Sequence, residues 1–206
     1  GYSSSTIDEY NYPTSGYDRH GCITALIGKS HFFNAMADSH ESENEKWVQL
    51  HWRERDYFDL TKHFSLGLEG EIVASTRHLP QSYYATISTA PAFTPTPASH
   101  YVFDPGLRAP SYAAVSLVPI YKYNSSLSAR LTLSSFIPAR TIVETNGGFA
   151  RYGRWFGTAH FFGEFSVAYK LPIATLSAYC NYTSSRHHFN AGISLGLFIL
   201  APKFIQ

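Results

Sequence analysis

The most regular feature of the chain is a period-two alternation of apolar and polar positions, sustained for about ten residues at a time and broken by Gly, Pro, Asn and Ser. Towards the C-terminus, Ala191, Ile193, Leu195, Leu197 and Ile199 share one face of an extended segment, while Gly192, Ser194 and Gly196 share the other. Ala174, Leu176, Ala178, Cys180 and Tyr182 oppose Thr175, Ser177, Tyr179 and Asn181, and Phe165, Val167, Tyr169 and Leu171 oppose Glu164, Ser166, Ala168 and Lys170. Leu127, Ala129, Leu131 and Leu133 oppose Ser128, Arg130, Thr132 and Ser134; Phe64, Leu66, Leu68, Ile72 and Ala74 oppose Ser65, Gly67, Glu69, Glu71 and Ser75. These runs predict an all-β chain with strands near 111–123, 127–138, 158–171, 173–183 and 188–200, and another over 63–75. Strands of globular proteins average about five to six residues. Strands of about ten, apolar on one side and small or polar on the other, suit a tilted segment that crosses a bilayer.

The connections sharpen the expectation. Leu171 and Ile173 are joined by Pro172, and Tyr123 and Leu127 by Asn124-Ser125-Ser126, whereas residues 32–45, 77–110 and 139–157 form long connections. Short turns alternating with long loops are the signature of an outer-membrane barrel, with the short turns on the periplasmic side. Aromatic residues gather at segment ends, as in Trp155-Phe156, Phe161-Phe162, Tyr57-Phe58 and Tyr121 with Tyr123, where interface girdles would lie. The rival arrangement is a soluble sandwich or ligand-binding barrel, whose apolar face points inward to a core or a lipid. Under the membrane reading, Glu69, Glu71, Arg130, Glu164 and Lys170 instead face the interior.

Charged residues are only 15% of the 206, well below the ~25% of an ordinary soluble domain. The net charge of +1 gives no argument for nucleic acid, and no apolar run approaches the ~18 residues of a membrane helix. The chain begins at Gly1 without Met, and Tyr2–Tyr10 reads as an element already in progress, so a fragment of a longer protein is expected. Cys22 and Cys180 fall on distant strands, one facing in and one out, and read as small apolar fillers. No cofactor or metal motif stands out; His187-His188 lie in a polar turn. Residues 192–196, GISLG, spell G-x-S-x-G, but a nucleophile elbow needs a sharp strand-to-helix turn, and here the alternation simply continues towards Pro202. Ser194 is therefore expected on the interior face as a structural residue.

GEFSVAYKLPIATLSAYCNY (163–182), followed by FNAGISLGLFILAPKF (189–204), resembles the last three strands of the BamA-like barrels of the outer-membrane assembly and translocation superfamily. That resemblance implies the C-terminal half, about eight to nine antiparallel strands, of a sixteen-stranded transmembrane barrel, with Phe204 as the aromatic of the insertion signal. Tyr12-Pro13-Thr14-Ser15-Gly16 looks like the aromatic-Pro-x-x-Gly periplasmic turn of these proteins. Counting back five strands makes residues 77–110 the sixth extracellular loop, which in this superfamily folds into the lumen and carries an Arg-Gly-aromatic motif. The matching stretch here is Leu107-Arg108-Ala109-Pro110-Ser111-Tyr112, with the Arg but not the Gly. Where the superfamily places the receiving carboxylates, this chain has Val118 and, approximately, Phe136. Glu69, Glu71 and Glu164 are left as candidate partners for Arg108, since a buried guanidinium needs a carboxylate.

The Pro-rich loop, which holds six of the eleven prolines, together with YPTSGY and HFSLGLEGEIV, is similar to a narrower group: the C-terminal barrel of the patatin-like phospholipases of Bacteroidetes-type bacteria. In that family an N-terminal patatin domain with a Ser-Asp dyad precedes the barrel. No catalytic motif of that domain maps onto this chain, and Asp104-Pro105-Gly106 reads as a turn. The resemblance implies a non-catalytic anchoring or translocation domain of a lipid acyl hydrolase in the bacterial outer membrane. Its partners would be outer-membrane lipid, the membrane protein-insertion machinery and the missing first strands and patatin domain. A protein assembly or secretion barrel and a soluble lipid-binding barrel are the alternatives.

Overall fold

The computed structural model of the chain describes residues 1–34, 39–77 and 82–197. It is all-β, as the alternation predicts. Nine antiparallel strands pair in chain order: β1 (Tyr2–Ser5), β2 (Gly16–Asn34), β3 (Ser39–Asp59), β4 (Phe64–Ser75), β5 (Tyr112–Lys122), β6 (Leu127–Pro138), β9 (His160–Lys170), β10 (Ala174–Thr183) and β11 (His188–Leu197). Between β6 and β9, β7 (Arg140–Glu144) and β8 (Ala150–Trp155) form a separate hairpin. The nine-stranded sheet is open, with β1 and β11 at its edges.

At one end of the sheet, β3 and β4, β5 and β6, and β9 and β10 are joined by the short turns 60–63, 123–126 and 171–173. At the other end lie the connections 76–111 and 139–159. One expected long connection is corrected. Residues 32–45 are largely strand, because the β2–β3 ladder runs in register out to Asn34↔Ser39. The sequence there, HFFNAMADSHESEN, lacks period-two apolarity. A backbone ladder persists without it, because paired N–H and C=O groups need no apolar face. The expected loop 139–157 likewise contains the β7–β8 hairpin.

Cross-strand register places side chains into rows on one face. Asp18, Arg55, Glu69, Ser116, Ser134, Phe162 and Thr183 are successive partners from β2 to β10, so they share a face. That face carries the polar residues, and it is covered: Ser134, Glu164, Ser166 and Ser177 are each 1% exposed. The opposite face is apolar and bare, with Ile27 at 82%, Ile193 at 77% and Ile23 at 70% exposed. Val115, Leu117, Leu131, Phe165, Leu176 and Leu195 continue it across the other strands, all exposed. Aromatic residues border this band at both ends, with Phe58, Phe64, Tyr121, Tyr123 and Tyr169 on the side of the short turns and Phe161 and Phe189 on the other. The band is interrupted near the short-turn end of β2 and β3, where Arg19 pairs with Glu54 at 2.7 Å and lies 3.8 Å from Asp56.

Two segments cover the polar face. The first is the connection after β4, with helix α1 (Tyr83–Thr89) and two short 3-10 turns at Ala98–Tyr101 and Pro105–Leu107. Phe93, Leu107 and Ala109 from it form the main core with Val73, Tyr112, Ala114, Phe136 and Phe162 of the sheet. The second is the β1–β2 connection, residues 6–15. It continues the hairpin through Thr6 N–H to the Tyr17 carbonyl (2.7 Å) and Asp8 N–H to the Ser15 carbonyl (3.2 Å), then turns over the sheet. Tyr12 in its tip donates to Ser177 Oγ at 2.7 Å, although β10 is six strand positions from β2. On a flat sheet six spacings amount to about 29 Å, whereas the four residues from Gly16 to Tyr12 reach about 14 Å. The sheet must therefore curl, with the polar face inside the curve.

Candidate functional site

The inner face is built by alternation within each strand. His51, Arg53, Arg55 and Tyr57 project from β3 at successive inward positions, opposite Val73, Glu71, Glu69 and Gly67 of β4. Arg55 donates from Nε (3.1 Å) and Nη2 (2.7 Å) to Asp18 Oδ2, while Arg53 lies 3.7 Å from the same oxygen. Glu71 Oε1 accepts from the Tyr112 hydroxyl at 2.6 Å and lies 3.1 Å from His51 Nε2. Glu69 accepts from the Tyr57 hydroxyl. Arg130 of β6 donates to the Pro13 carbonyl and sits over the rings of Tyr12 (5.6 Å) and Tyr57 (5.8 Å). Glu164 Oε2 accepts from Thr96 Oγ1 at 2.8 Å and Asn181 Nδ2 at 3.2 Å.

The expected pairing of Arg108 with one of these carboxylates is corrected. Arg108 Nη1 donates to the carbonyls of Ser88 and Ala90, both at 3.1 Å, and the guanidinium lies 4.6 Å from the centroid of Phe103. All of these partners belong to the loop itself, so Arg108 ties the loop together instead of fastening it to the sheet. Glu69 instead accepts from Tyr57, Glu71 from Tyr112, and Glu164, through Oε2, from Thr96 and Asn181. The physical reason lies at two inner-face positions that hold apolar side chains instead of acceptors. Val118 and Phe136 are both 0% exposed on the inner face, and Phe136 packs against Tyr112 (4.8 Å between ring centroids) and Phe93 (5.9 Å). The aromatic cluster at Phe136 receives the loop by burying rings, where a guanidinium would be left without an acceptor.

Two polar anchors reinforce that docking, and neither was legible from residue type alone. Thr96 fastens the loop to Glu164 of β9. Asp104 accepts from Thr183 Oγ1 at 2.8 Å and from Ser185 Oγ at 2.7 Å, and its side chain also caps Gly106 N–H at 2.9 Å. The Asp104-Pro105-Gly106 stretch is thus a turn, as its residues predict, but one whose carboxylate grips the far end of β10.

Ser194 lies on the inner face opposite Ser177 and lines a cavity of about 360 Å³. The two glycines of GISLG have packing roles. A Cβ on Gly192 would stand 2.7 Å from the Tyr179 hydroxyl, and one on Gly196 would stand 3.3 Å from Asn11 Nδ2. His187 and His188 are both exposed, and Ser194 continues a strand instead of ending one. Among the described residues no group of three His, Cys, Asp or Glu side chains gathers as metal ligands would. Phe204, the candidate insertion-signal aromatic, lies outside the described residues.

No family model, curated protein or solved structure matches the chain. The arrangement itself must carry the functional reading. Its cavity lies between the two covering segments, bounded by Tyr10 and Tyr12 on one side, Thr94–Pro97 and His100 on the other, and Arg53, Arg55 and Arg130 on the wall. Burial, and then the positive charge of Arg53, push the His100 imidazole below its ordinary value despite the opposing pull of Glu71, so His100 adds no positive charge at neutral pH.

Proposed function

We propose that this chain is the C-terminal half of an outer-membrane β-barrel that anchors a patatin-like lipid acyl hydrolase, and that the chain itself carries no catalytic residue. The observation behind the membrane part is the inverted polarity of the sheet. A soluble sandwich or ligand-binding barrel buries its apolar face and wets its polar one; here the polar face is covered and an apolar face of long strands, interrupted at Arg19, Glu54 and Asp56, is bare. Patches above roughly 300–600 Å² are seldom left in water by a monomer, and this face runs across nine strands. The aromatic borders at its two ends sit where the bilayer interfaces would be. Arg19, Glu54 and Asp56 lie just inside the short-turn border, Glu54 and Asp56 within four residues of Phe58 on β3, and Arg19 pairs with Glu54, which lowers the cost of charge close to the interface. The open edges β1 and β11 are closed by the remaining strands of the barrel, since unpaired ladder groups are untenable in lipid.

Anchoring is favoured over protein assembly because, where an assembly barrel would have carboxylates, Phe136 receives the loop by ring packing and Val118 lies in the apolar cluster under Ile7 of the β1–β2 connection. The hydrolase part rests on the resemblance of the Pro-rich loop. The test is fractionation of cells expressing the complete protein. The chain should remain in the outer-membrane fraction and change gel mobility on heating; recovery in the soluble fraction without detergent would refute it. Ser194→Ala should leave acyl-hydrolase activity of the complete protein unchanged, and a loss of activity with the heat shift intact would place the chemistry on this chain after all.

A further inference from the structure

We propose that the tip of the β1–β2 connection, Asp8–Ser15, is a second plug of the barrel lumen, acting in series with the loop after β4, so that the barrel is a sealed anchor and not a conduit. This rests on the barrel reading above and goes beyond it in deciding between anchoring and passage. A short turn between two barrel strands has no reason to leave the rim. This one is ten residues long, from Thr6 to Ser15, and lies over the inner face. Its tip residues Glu9, Tyr12, Pro13 and Thr14 are buried.

The tip is pinned to strands far from its own. Tyr12 donates to Ser177 of β10, Glu9 Oε1 accepts from Thr175 Oγ1 at 2.8 Å, and Glu9 Oε2 lies 2.8 Å from Lys170 Nζ at the β9 end. Pro13 accepts from Arg130 of β6, and Ile7 packs against the Tyr57, Val118 and Ile120 cluster. The tip also holds its own shape: Asp8 accepts from Thr14 N–H (2.7 Å), Thr14 Oγ1 (2.8 Å) and Ser15 N–H (3.2 Å). Segments that merely fray over a rim do not carry a self-capped turn and contacts to β6, β9 and β10. The loop after β4 occupies the opposite end of the same face, through Phe93, Leu107 and Ala109 at Phe136 and Phe162. The cavity of about 360 Å³ lies between the two segments and touches both, which is what two barriers in series would leave. Polar pores conduct only where a continuous wet path exists.

Series barriers make a specific demand on experiment: release of either one alone leaves the path shut. The complete protein is compared in planar bilayers as wild type, with residues 9–13 replaced by Gly-Ser, with Phe93→Ala plus Asp104→Ala to loosen the loop, and with both changes. Heat-shifted gel mobility is recorded for each. The expected result is low conductance in the first three and a several-fold rise in the combined variant. Equal conductance of the combined and loop-loosened variants would overturn the plug, as would a wild type that already conducts as well as the combined one. Absence of the heat shift in the wild type would instead sink the barrel reading itself, and the plug with it. Should the replaced tip prevent folding, Glu9→Cys with Thr175→Cys, in a background with Cys22→Ser and Cys180→Ser, places a short bismaleimide bridge across the docked tip. Efficient bridging in intact outer membranes supports the docking, and no bridging in folded protein refutes it.

Discussion

At the residue scale, the inward fold of the β1–β2 tip turns on Gly16. Its φ of +96° lies where side chains are strained, and an added Cβ would stand 2.4 Å from the Thr6 carbonyl oxygen. Gly16→Ala should therefore cost about 1–3 kcal/mol, read as a lower urea midpoint in unfolding from lipid vesicles, and protease should reach the tip sooner. Asp8 adds a pH dependence. Burial raises its carboxyl, but hydrogen bonds from Thr14 and Ser15 and the charge of Lys170 outweigh that, so the net shift is downward from the ordinary 3.8. A depressed acid stabilises the docked tip above its unfolded value, and the contribution is lost as pH falls through the folded value. Amide protection in residues 9–12 and 14, measured against the intrinsic exchange rate at each pH, should thus hold at neutral pH and fall only below about pH 4. Asp8→Asn should flatten that acid limb; an unchanged limb would show that Asp8 is not the group responsible.

At the scale of elements, the loop after β4 is held by ring burial and two polar anchors instead of an Arg–carboxylate lock. Phe93→Ala removes the ring that stacks on Phe136 and should cost about 3–5 kcal/mol of loop docking if the site does not collapse. Cleavage after Arg108 by trypsin on intact cells should then become markedly faster. Glu164→Gln should do much less, because the amide still accepts from Thr96. That ranking would be reversed if an ion-pair lock held the loop. The strands make a separate prediction, since their two faces tolerate charge differently. Leu176→Arg, on the bare face, should lower barrel stability by about 2–4 kcal/mol if it lies near the bilayer midplane. A soluble protein would accept the same change on its surface with little effect.

At the scale of the whole molecule, nine strands form an open sheet curled around its own polar face, with a covering connection at each end. Curling explains why the covered residues are the hydrophilic ones. Two connections cross the inner face, so Ser134, Ser166 and Ser177 are buried by protein while Ile23 and Ile193 are bare. The same inversion explains why the inner face is rich in hydrogen bonds: covered carboxylates need donors, and Asp18 and Glu71 have them, while Glu164 is held through Oε2.

Much of this was legible before any coordinates. Period-two alternation determined the all-β class, the bounds of β5, β6, β9, β10 and β11, and which residues share a face, including Ser194, because side chains in a strand must alternate and a one-residue error would exchange the faces. It could not reveal the upper ladder of β2 and β3, where the pairing continues without an apolar face to mark it. Nor could it find the partners of Arg108. Residue types say that a guanidinium needs acceptors, but Ser88 and Ala90 supply them through backbone carbonyls, which every residue has. The inward fold of Asp8–Ser15 was equally hidden, since its contacts with Arg130, Thr175 and Ser177 join positions more than a hundred residues apart. Local pattern determines faces and strands; which distant side chains meet across the curl is decided only when the sheet bends around what it covers.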